Sequence, residues 1–171
     1  MLNEGGLDPA ELADHVAVTG SVAGYAGGDP IGSDDDLFTV PCDLLVPAAL
    51  GGVITGIVAE KLAARIVVEA ANGPTTQEAE PILHERGIVV VPDILANAGG
   101  VTASYFEWAQ AKQAYDWEEE VVAERLRTRM ERAFNNVWTR AESLDVSLRR
   151  AAFALALDRV AQAISARGLF P

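Results

Sequence analysis

The chain contains 171 residues, of which 50% are hydrophobic and 22% are charged. This composition is typical of one ordinary globular domain and excludes a largely disordered chain. The single cysteine, Cys42, excludes a disulfide framework and a multi-cysteine zinc site, and it fits a cytoplasmic protein. The formal net charge of −12 would repel nucleic acid and anionic membrane surfaces. We therefore expect neither a nucleic-acid-binding nor a membrane protein, and the N-terminus lacks the features of a secretory signal.

The first 40 residues predict irregular chain with short elements. Asp8 and Pro9 are typical of a helix start, with Asp8 as the N-cap and Pro9 at the first helical position. A glycine-rich stretch follows and contains one short predicted strand near Val22. Ser33 precedes three aspartates at residues 34–36 and can cap a second short helix. Alternatively, this cluster of carboxylates could bind a cation.

The middle of the chain contains three short apolar runs, at residues 43–47, 66–70 and 88–92. Their unbroken apolarity and β-branched content are typical of strands buried on both faces of a parallel sheet. Before the third run, residues 75–78 have the form of a capping box, and Gly87 would end the helix that follows. Short strand–helix–strand connections favour right-handed crossovers, so residues 41–113 predict an α/β core.

The last third of the chain, residues 118–166, predicts two long helices. In the first helix, apolar residues recur at three- and four-residue steps, which is the period of one helix face. The predicted inward positions are Val122, Leu126, Met130, Phe134, Val137 and Ala141 in the first helix, and Leu148, Ala152, Leu155, Val160 and Ile164 in the second. The opposite face of the first helix is rich in arginine and is interpreted as solvated. Gly168 would end the second helix.

Two predicted strands end in loops that contain asparagine. Ligands of open α/β sheets bind outside the carboxyl ends of the strands, where Asn72 and Asn97 would lie. The alternative, purely structural roles are a turn residue for Asn72 and an N-cap for Asn97. A helix that begins near Gly99 would place Val101, Ser104 and Trp108 on one face. For Ser104, the alternative is a hydroxyl bonded to a carbonyl one turn back.

Common catalytic signatures are missing from this sequence. It contains no G-x-G-x-x-G, Walker, G-x-S-x-G or HExxH pattern. His15 lies in the irregular N-terminal stretch, and His84 is interpreted as a solvent-facing residue of a helix. Cys42 is interpreted as a small core residue rather than a nucleophile. The residues alone therefore predict an α/β ligand-binding segment, with no assigned catalytic residue and no metal site.

The chain resembles the glutamate dehydrogenases within the Glu/Leu/Phe/Val dehydrogenase family from about Asn3 to Pro171, most strongly at residues 45–50, 72–76 and 91–108. The resemblance implies the second half of a Rossmann-type, doubly wound NAD(P)-binding domain, followed by C-terminal helices. It also implies oxidative deamination of L-glutamate to 2-oxoglutarate and ammonia, with NAD or NADP as the hydride acceptor. Self-association, or association with dehydrogenase subunits, is implied as well.

The resemblance also implies roles for individual residues. Ala48 would lie near the nicotinamide, Asn72 would contact the ribose or nicotinamide, and Asn97 would lie between the nicotinamide and the substrate. Ser104 would bond the side-chain carboxylate of glutamate, with Val101 packed beside it. These expectations make the first three residues cofactor-binding and the last two substrate-binding.

The sequence departs from the family pattern at Ala70, where a glycine is usual, and at Gly51, where a glutamate is usual. The family's catalytic lysine and aspartate and its glycine-rich phosphate loop have no counterpart in these 171 residues. We therefore expect the chain alone to lack dehydrogenase activity. A second hypothesis is a non-catalytic subunit that complements a dehydrogenase partner through the unpaired edge of the strand at residues 43–47. A third is the product of a truncated gene, with no selected function.

Overall fold

The computed structural model describes residues 1–168, and their contacts fall into two units that divide between Pro41 and Cys42. The N-terminal unit contains helices α1 (Pro9–Thr19) and α2 (Asp34–Thr39). An isolated antiparallel bridge joins Leu2 to Asp29. Within residues 1–168, no helix combines the length and the apolarity needed to cross a membrane.

Both predicted caps of the N-terminal unit are present. Asp8 Oδ1 accepts hydrogen bonds from the backbone N–H groups of Ala10 at 2.8 Å and Glu11 at 3.0 Å. Ser33 Oγ accepts one from Asp36 N at 3.2 Å and begins α2. The short strand predicted near Val22 is wrong, because the chain there forms bends and turns, one of them closed by the Tyr25 N–H donating to the Val22 carbonyl.

The second unit contains a parallel sheet of three strands, in the order β1 (Leu44–Leu45), β2 (Ile66–Val68) and β3 (Val89–Val91). The predicted α/β class and the three strands are confirmed, although each strand is shorter than its apolar run. Proline has no N–H to donate to a ladder, and β1 ends before Pro47. After β2 the N–H groups of Ala70 and Ala71 both donate to the Pro47 carbonyl, so the chain leaves the ladder.

Helix α3 (Gly56–Lys61) connects β1 to β2, and α4 (Ala79–Glu85) connects β2 to β3. Helices α5 (Asp93–Ala96) and α6 (Ala98–Gln113) follow β3. The capping box predicted at residues 75–78 is wrong. Thr75 instead pairs with Ile54 in an isolated parallel bridge, and α4 begins without a side-chain cap. Gly87, at a φ of 70°, ends this segment as predicted. Helix α6 begins one residue before the expected Gly99.

The C-terminal helices are α7 (Glu119–Leu144) and α8 (Leu148–Arg167), and both are confirmed. Ser147 caps α8, and Gly168 ends it at a φ of 77°. The core between the helices and the sheet consists of Leu95, Val137, Ala141, Leu148, Ala151 and Ala152. Val160 and Ile164 are 56% and 60% exposed, so their predicted inward orientation is wrong. Val160 follows Leu155 by five residues, a step that turns it away from the inward face of α8.

Burial of the strands on both faces is also only partly correct. Val67 is fully buried, but the register partners Leu44 and Ile66 are 52% and 41% exposed, so the face of the sheet that they share is only partly covered. Cys42 is exposed, so its interpretation as a core residue is wrong. It precedes β1 at the open side of the sheet, where no further described strand lies. His84 is exposed, as predicted.

The arginine-rich face of α7 is exposed, as predicted, and two of its arginines also contact aromatic rings. Arg125 stacks over the ring of Trp117, with Cζ 4.0 Å from the ring centroid. Arg129 lies 5.4 Å from the ring centroid of Tyr105 and 5.8 Å from that of Phe106. These cation–π contacts join α7 to α6 and to the segment between the two helices.

Candidate functional site

The loops that follow β1 and β2 are tied together at the carboxyl edge of the sheet. The N–H groups of Ala70 and Ala71 donate to the Pro47 carbonyl at 3.1 and 2.8 Å. Farther along, Gly52 N donates to the Gly73 carbonyl at 2.8 Å. Ala48 is exposed immediately after Pro47, so it lies at the same edge as the Asn72 loop.

The close approach of these two loops requires glycine at position 51. A Cβ atom added at Gly51 would lie 2.9 Å from the carbonyl oxygen of Asn72 and 3.4 Å from that of Gly73. Real Cβ atoms do not approach a carbonyl oxygen so closely, and backbone cannot swing away as a side chain does. The glycine at position 51 is therefore matched to the position of Asn72. Gly73 itself has a φ of 56° and makes the turn.

The side chains of Asn72 and Asn97 meet at this edge. Asn97 Nδ2 donates to Asn72 Oδ1 at 2.7 Å and to the Ala70 carbonyl at 3.2 Å. Asn97 therefore does not act as the side-chain N-cap of α6, and the structure shows no such cap. The side chain of Asn72 does more than occupy a turn, because it accepts a bond from the loop of the neighbouring strand.

The asparagine pair leaves one donor and one acceptor free. Within residues 1–168, neither Asn72 Nδ2 nor Asn97 Oδ1 has a hydrogen-bond partner. Asn72 is exposed and Asn97 is half-buried, so both groups can be reached from solvent. The pair can bind a molecule that offers an acceptor and a donor side by side, such as a primary carboxamide or a sugar diol.

Helix α6 carries the remaining predicted site residues away from the asparagine pair. Val101, Ser104 and Trp108 are all exposed and share one face of the helix. The bland alternative for Ser104 is absent from the described structure, where Thr102 makes that kind of bond instead, to the Ala98 carbonyl at 2.9 Å. Seven residues separate Asn97 from Ser104, which is roughly 10 Å along a helix.

Sequence reasoning missed a network of charged side chains directly behind the asparagines. Glu69 is fully buried at the end of β2, and its Oε2 accepts from the guanidinium of Arg149 on α8 and from Asp93 N. Arg149 also donates to Asp93 Oδ1 at 3.0 Å and lies 3.5 Å from Glu80 Oε2. Asp93 Oδ2 in turn accepts from Gly73 N at 2.8 Å. The network thus joins α8 to the residue that follows Asn72.

The contacts of the network favour the charged forms of Asp93 and Arg149. Burial opposes ionisation of Asp93, but the N–H groups of Gly73 and Ile94 and the guanidinium of Arg149 hold the pKa of that carboxyl below its usual range. Burial likewise opposes the charge of Arg149, while Glu69 and Asp93 raise the pKa of its guanidinium above the ordinary value. Glu69 Oε1 is buried without a hydrogen-bond partner in the described residues.

One signal could have indicated the network. Glu69 directly follows an apolar strand at a position where the alternation of β2 turns inward, and a carboxylate there needs a partner. Nothing in the sequence says that the partner is Arg149, which lies 80 residues away. A separate cleft of about 320 Å³ is lined by Ile88, Trp138, Leu148 and Arg149, but by none of the predicted site residues.

The sequence of residues 1–168 matches the family model described as Glutamate/Leucine/Phenylalanine/Valine dehydrogenase. The chain belongs to this family. It is 48% identical over 169 residues to a glutamate dehydrogenase of Thermotoga maritima, an alignment that covers 99% of this chain and 40% of that relative. It is 47% identical over 171 residues to a protein of Halobacterium salinarum named NAD-specific glutamate dehydrogenase A, covering 100% of this chain and 39% of that protein.

A solved structure supports the same assignment. The hetero-hexameric glutamate dehydrogenase of Thermus thermophilus, in its leucine-bound form, matches this dehydrogenase-family chain with a TM-score of 0.90 and 38% identity. The match covers 100% of this chain and 40% of that one. The α/β arrangement of a small parallel sheet and helices is therefore the family's fold. The chain spans about 40% of the length of these relatives.

Proposed function

We propose that this chain contributes the second half of a Rossmann-type NAD(P)-binding domain to a glutamate dehydrogenase, with Asn72 and Asn97 in the cofactor site. The observation that carries the proposal is the 2.7 Å bond between the two carboxamides at the carboxyl ends of adjacent parallel strands. This is the edge at which open α/β sheets bind their ligands. Membership of the dehydrogenase family supplies the reaction class.

The free groups of the asparagine pair fit the nicotinamide nucleoside part of the cofactor. Asn72 Nδ2 can donate to a ribose hydroxyl or carboxamide oxygen, and Asn97 Oδ1 can accept from a carboxamide or hydroxyl. The exposed Ala48 leaves space for a ring beside them. When bound, NAD or NADP would accept the hydride from Cα of the amino acid. The chain offers no glycine-rich loop for the pyrophosphate, so the fit is to part of the cofactor.

We further propose that Ser104 selects glutamate among amino acids. Its exposed hydroxyl has no partner in the described residues and can donate to the side-chain carboxylate of glutamate, while Val101 packs beside the methylene groups. A hydrogen bond to a charged group is worth about 1.5–3 kcal/mol. Leucine or valine could not form it, so the preference would favour glutamate over these amino acids.

Nucleotide titration tests the cofactor site. We expect NADH, followed by its fluorescence, to bind the 171-residue chain with a dissociation constant that rises about tenfold in Asn72→Ala and in Asn97→Ala, since each loses one hydrogen bond to the ligand. Asn136→Ala is the matched control, because Asn136 is exposed on α7. Equal affinities of all three variants, or no binding by the wild-type chain, would overturn the cofactor site.

The proposal includes the absence of turnover by the chain alone. Positioning and proton transfer in this reaction need groups that these 171 residues do not contain, namely the family's catalytic lysine and aspartate. Purified chain should therefore produce no NADH or NADPH from glutamate in a spectrophotometric assay. Glutamate-dependent production by chain freed of host enzymes would contradict this part of the proposal.

The open side of the sheet favours a second candidate function, association with a dehydrogenase subunit that carries the rest of the fold. No described strand lies beyond β1, Leu44 on that strand is exposed, and apolar residues of α8 are exposed at Phe153, Leu157, Val160 and Ile164. Light scattering should show self-association of the purified chain or a complex with a dehydrogenase subunit. A monomer that co-purifies with no such subunit would exclude this function.

A cytoplasmic location remains a prediction.

A further inference from the structure

We infer that Arg149 on α8 is a positioning residue for the asparagine pair, an inference that rests on the proposed cofactor role of Asn72 and Asn97. Arg149 touches neither asparagine. It acts through Asp93 and Glu69, which together hold the two loops that carry them.

Asp93 is the junction between the two loops. Its side-chain Oδ2 accepts from Gly73 N at 2.8 Å, which holds the residue next to Asn72. Its backbone carbonyl accepts from Asn97 N at 3.1 Å and closes the short helix α5. The two asparagines therefore keep their mutual orientation only while Asp93 stays in place.

Arg149, on α8, holds Asp93 in place through two sets of hydrogen bonds. One nitrogen of its guanidinium donates to Asp93 Oδ1 at 3.0 Å and another to Glu69 Oε2, which also accepts from Asp93 N at 2.8 Å. Asp93 is thus held through both its carboxylate and its backbone. The side chain of Arg149 is 19% exposed and that of Glu69 is fully buried, so little water competes for these bonds.

Helix α8 is itself fixed relative to the sheet. Ser147 Oγ donates to Glu80 Oε1 at 2.8 Å, Glu80 Oε2 faces Arg149, and Ala151 is fully buried one turn farther on. A guanidinium can contact three carboxylates at once because its donors form a rigid planar fork. A lysine ammonium keeps the charge but is a point donor and cannot reproduce this geometry. Arg149→Lys therefore separates positioning from charge.

The first test uses no nucleotide. In ¹⁵N spectra of the full 171-residue chain, Arg149→Lys should shift the side-chain NH₂ signals of Asn97 and bring them towards solvent-exposed values. Arg150→Gln, on the exposed neighbour of Arg149, should leave these signals in place. A folded Arg149→Lys chain with unchanged Asn97 signals would overturn the inference, whether or not the chain binds nucleotide.

The second test has two arms: nucleotide affinity of the Arg149→Lys variant, and a titration of the unmodified chain that needs no variant. NADH should bind Arg149→Lys about tenfold more weakly than wild type, because the asparagines are no longer pre-oriented, and Arg150→Gln should bind within twofold. In the unmodified chain, saturation with NAD should move the Nε–Hε signal of Arg149 together with the carboxamide signals of Asn72 and Asn97. A stationary Arg149 signal while both asparagines respond would refute the positioning role even if Arg149→Lys failed to fold. Asparagine signals that do not respond to NAD would refute the proposed cofactor site instead.

Discussion

The N-terminal unit and the carboxyl edge of the sheet are stabilised in opposite ways. In the N-terminal unit, Asp8 bonds to residues two and three positions later, and no residue of α1 is buried. At the sheet edge, Asn72 bonds across 25 residues and Glu69 across 80, and Glu69 is fully buried. Local bonds at the surface form whenever the helix forms. The bonds at the sheet edge form only when residues far apart in the sequence come together, so they depend on the fold of the second unit.

The two regions also differ in how much free energy of unfolding is lost when one of their bonds is removed. An exposed cap competes with water for each hydrogen bond, so its loss costs about 1 kcal/mol. A buried ion pair can contribute little net stability when intact, yet removing one partner leaves a charge without compensation and costs about 3–5 kcal/mol. Substitutions in the two regions should therefore differ severalfold in their effects on the free energy of unfolding.

The largest effect is expected for Arg149→Met. This change removes the cation that compensates buried Glu69, and it should lower the free energy of unfolding by about 3–5 kcal/mol, measured by chemical denaturation. Arg150→Met, one residue along the same helix and exposed, should change it by no more than about 0.5 kcal/mol. A similarly small loss of unfolding free energy in both variants would show that Arg149 does not compensate a buried charge on Glu69.

A smaller effect is expected for Gly51→Ala. The added Cβ would meet the Asn72 carbonyl oxygen at 2.9 Å, so the loops must separate, at a cost of about 1–3 kcal/mol. The matched control has the opposite sign. Gly100→Ala meets nothing within 4 Å inside α6, and alanine should stabilise that helix by about 0.5–1 kcal/mol. Stabilisation by both substitutions in denaturant melts would contradict the close approach of the loops.

The sequence was sufficient for features that depend on neighbouring residues or on one period. The caps at Asp8 and Ser33 need only a few adjacent positions. The placement of Asn72 and Asn97 at one edge of the sheet followed from one further step, because ligands of open α/β sheets bind outside the carboxyl ends of the strands. The bond between their side chains was not predicted. The functional roles of these asparagines rest on family resemblance and stay predictions.

The remaining features depended on which parts of the fold meet. Residues 75–78 have a capping-box pattern, but Thr75 pairs with Ile54 in a strand bridge instead. The local sequence pattern cannot reveal this pairing, because Ile54 lies 21 residues earlier in the chain. The inward face of α8 follows steps of three and four residues, and Val160, five residues after Leu155, falls outside that period and is exposed. The pairing of Glu69 with Arg149 has no periodic signal at all.

Acid should weaken the sheet edge through Asp93. Since the pKa of Asp93 is lowered on folding, its ionised form stabilises the folded state at pH values above the unfolded pKa, about 3.9. That stabilisation is lost as the pH falls through the lower folded pKa. We expect Asp93→Asn to flatten the dependence of the unfolding free energy on pH between about pH 5 and pH 2. An unchanged slope would show that Asp93 titrates alike in the folded and unfolded states.

The smallest effect is expected in the N-terminal unit, for Asp8→Ala. Its carboxylate satisfies the N–H groups of Ala10 and Glu11 at the start of α1, and alanine offers no acceptor. The loss should be about 1 kcal/mol, seen as faster amide hydrogen exchange within Pro9–Thr19. Asp14→Ala, an exposed change inside the same helix, removes no cap and should leave exchange nearly unaltered. Removal of an exposed cap leaves no buried charge without a partner. An equal loss in the free energy of unfolding for Asp8→Ala and Arg149→Met would therefore contradict the proposed difference between local and long-range bonds.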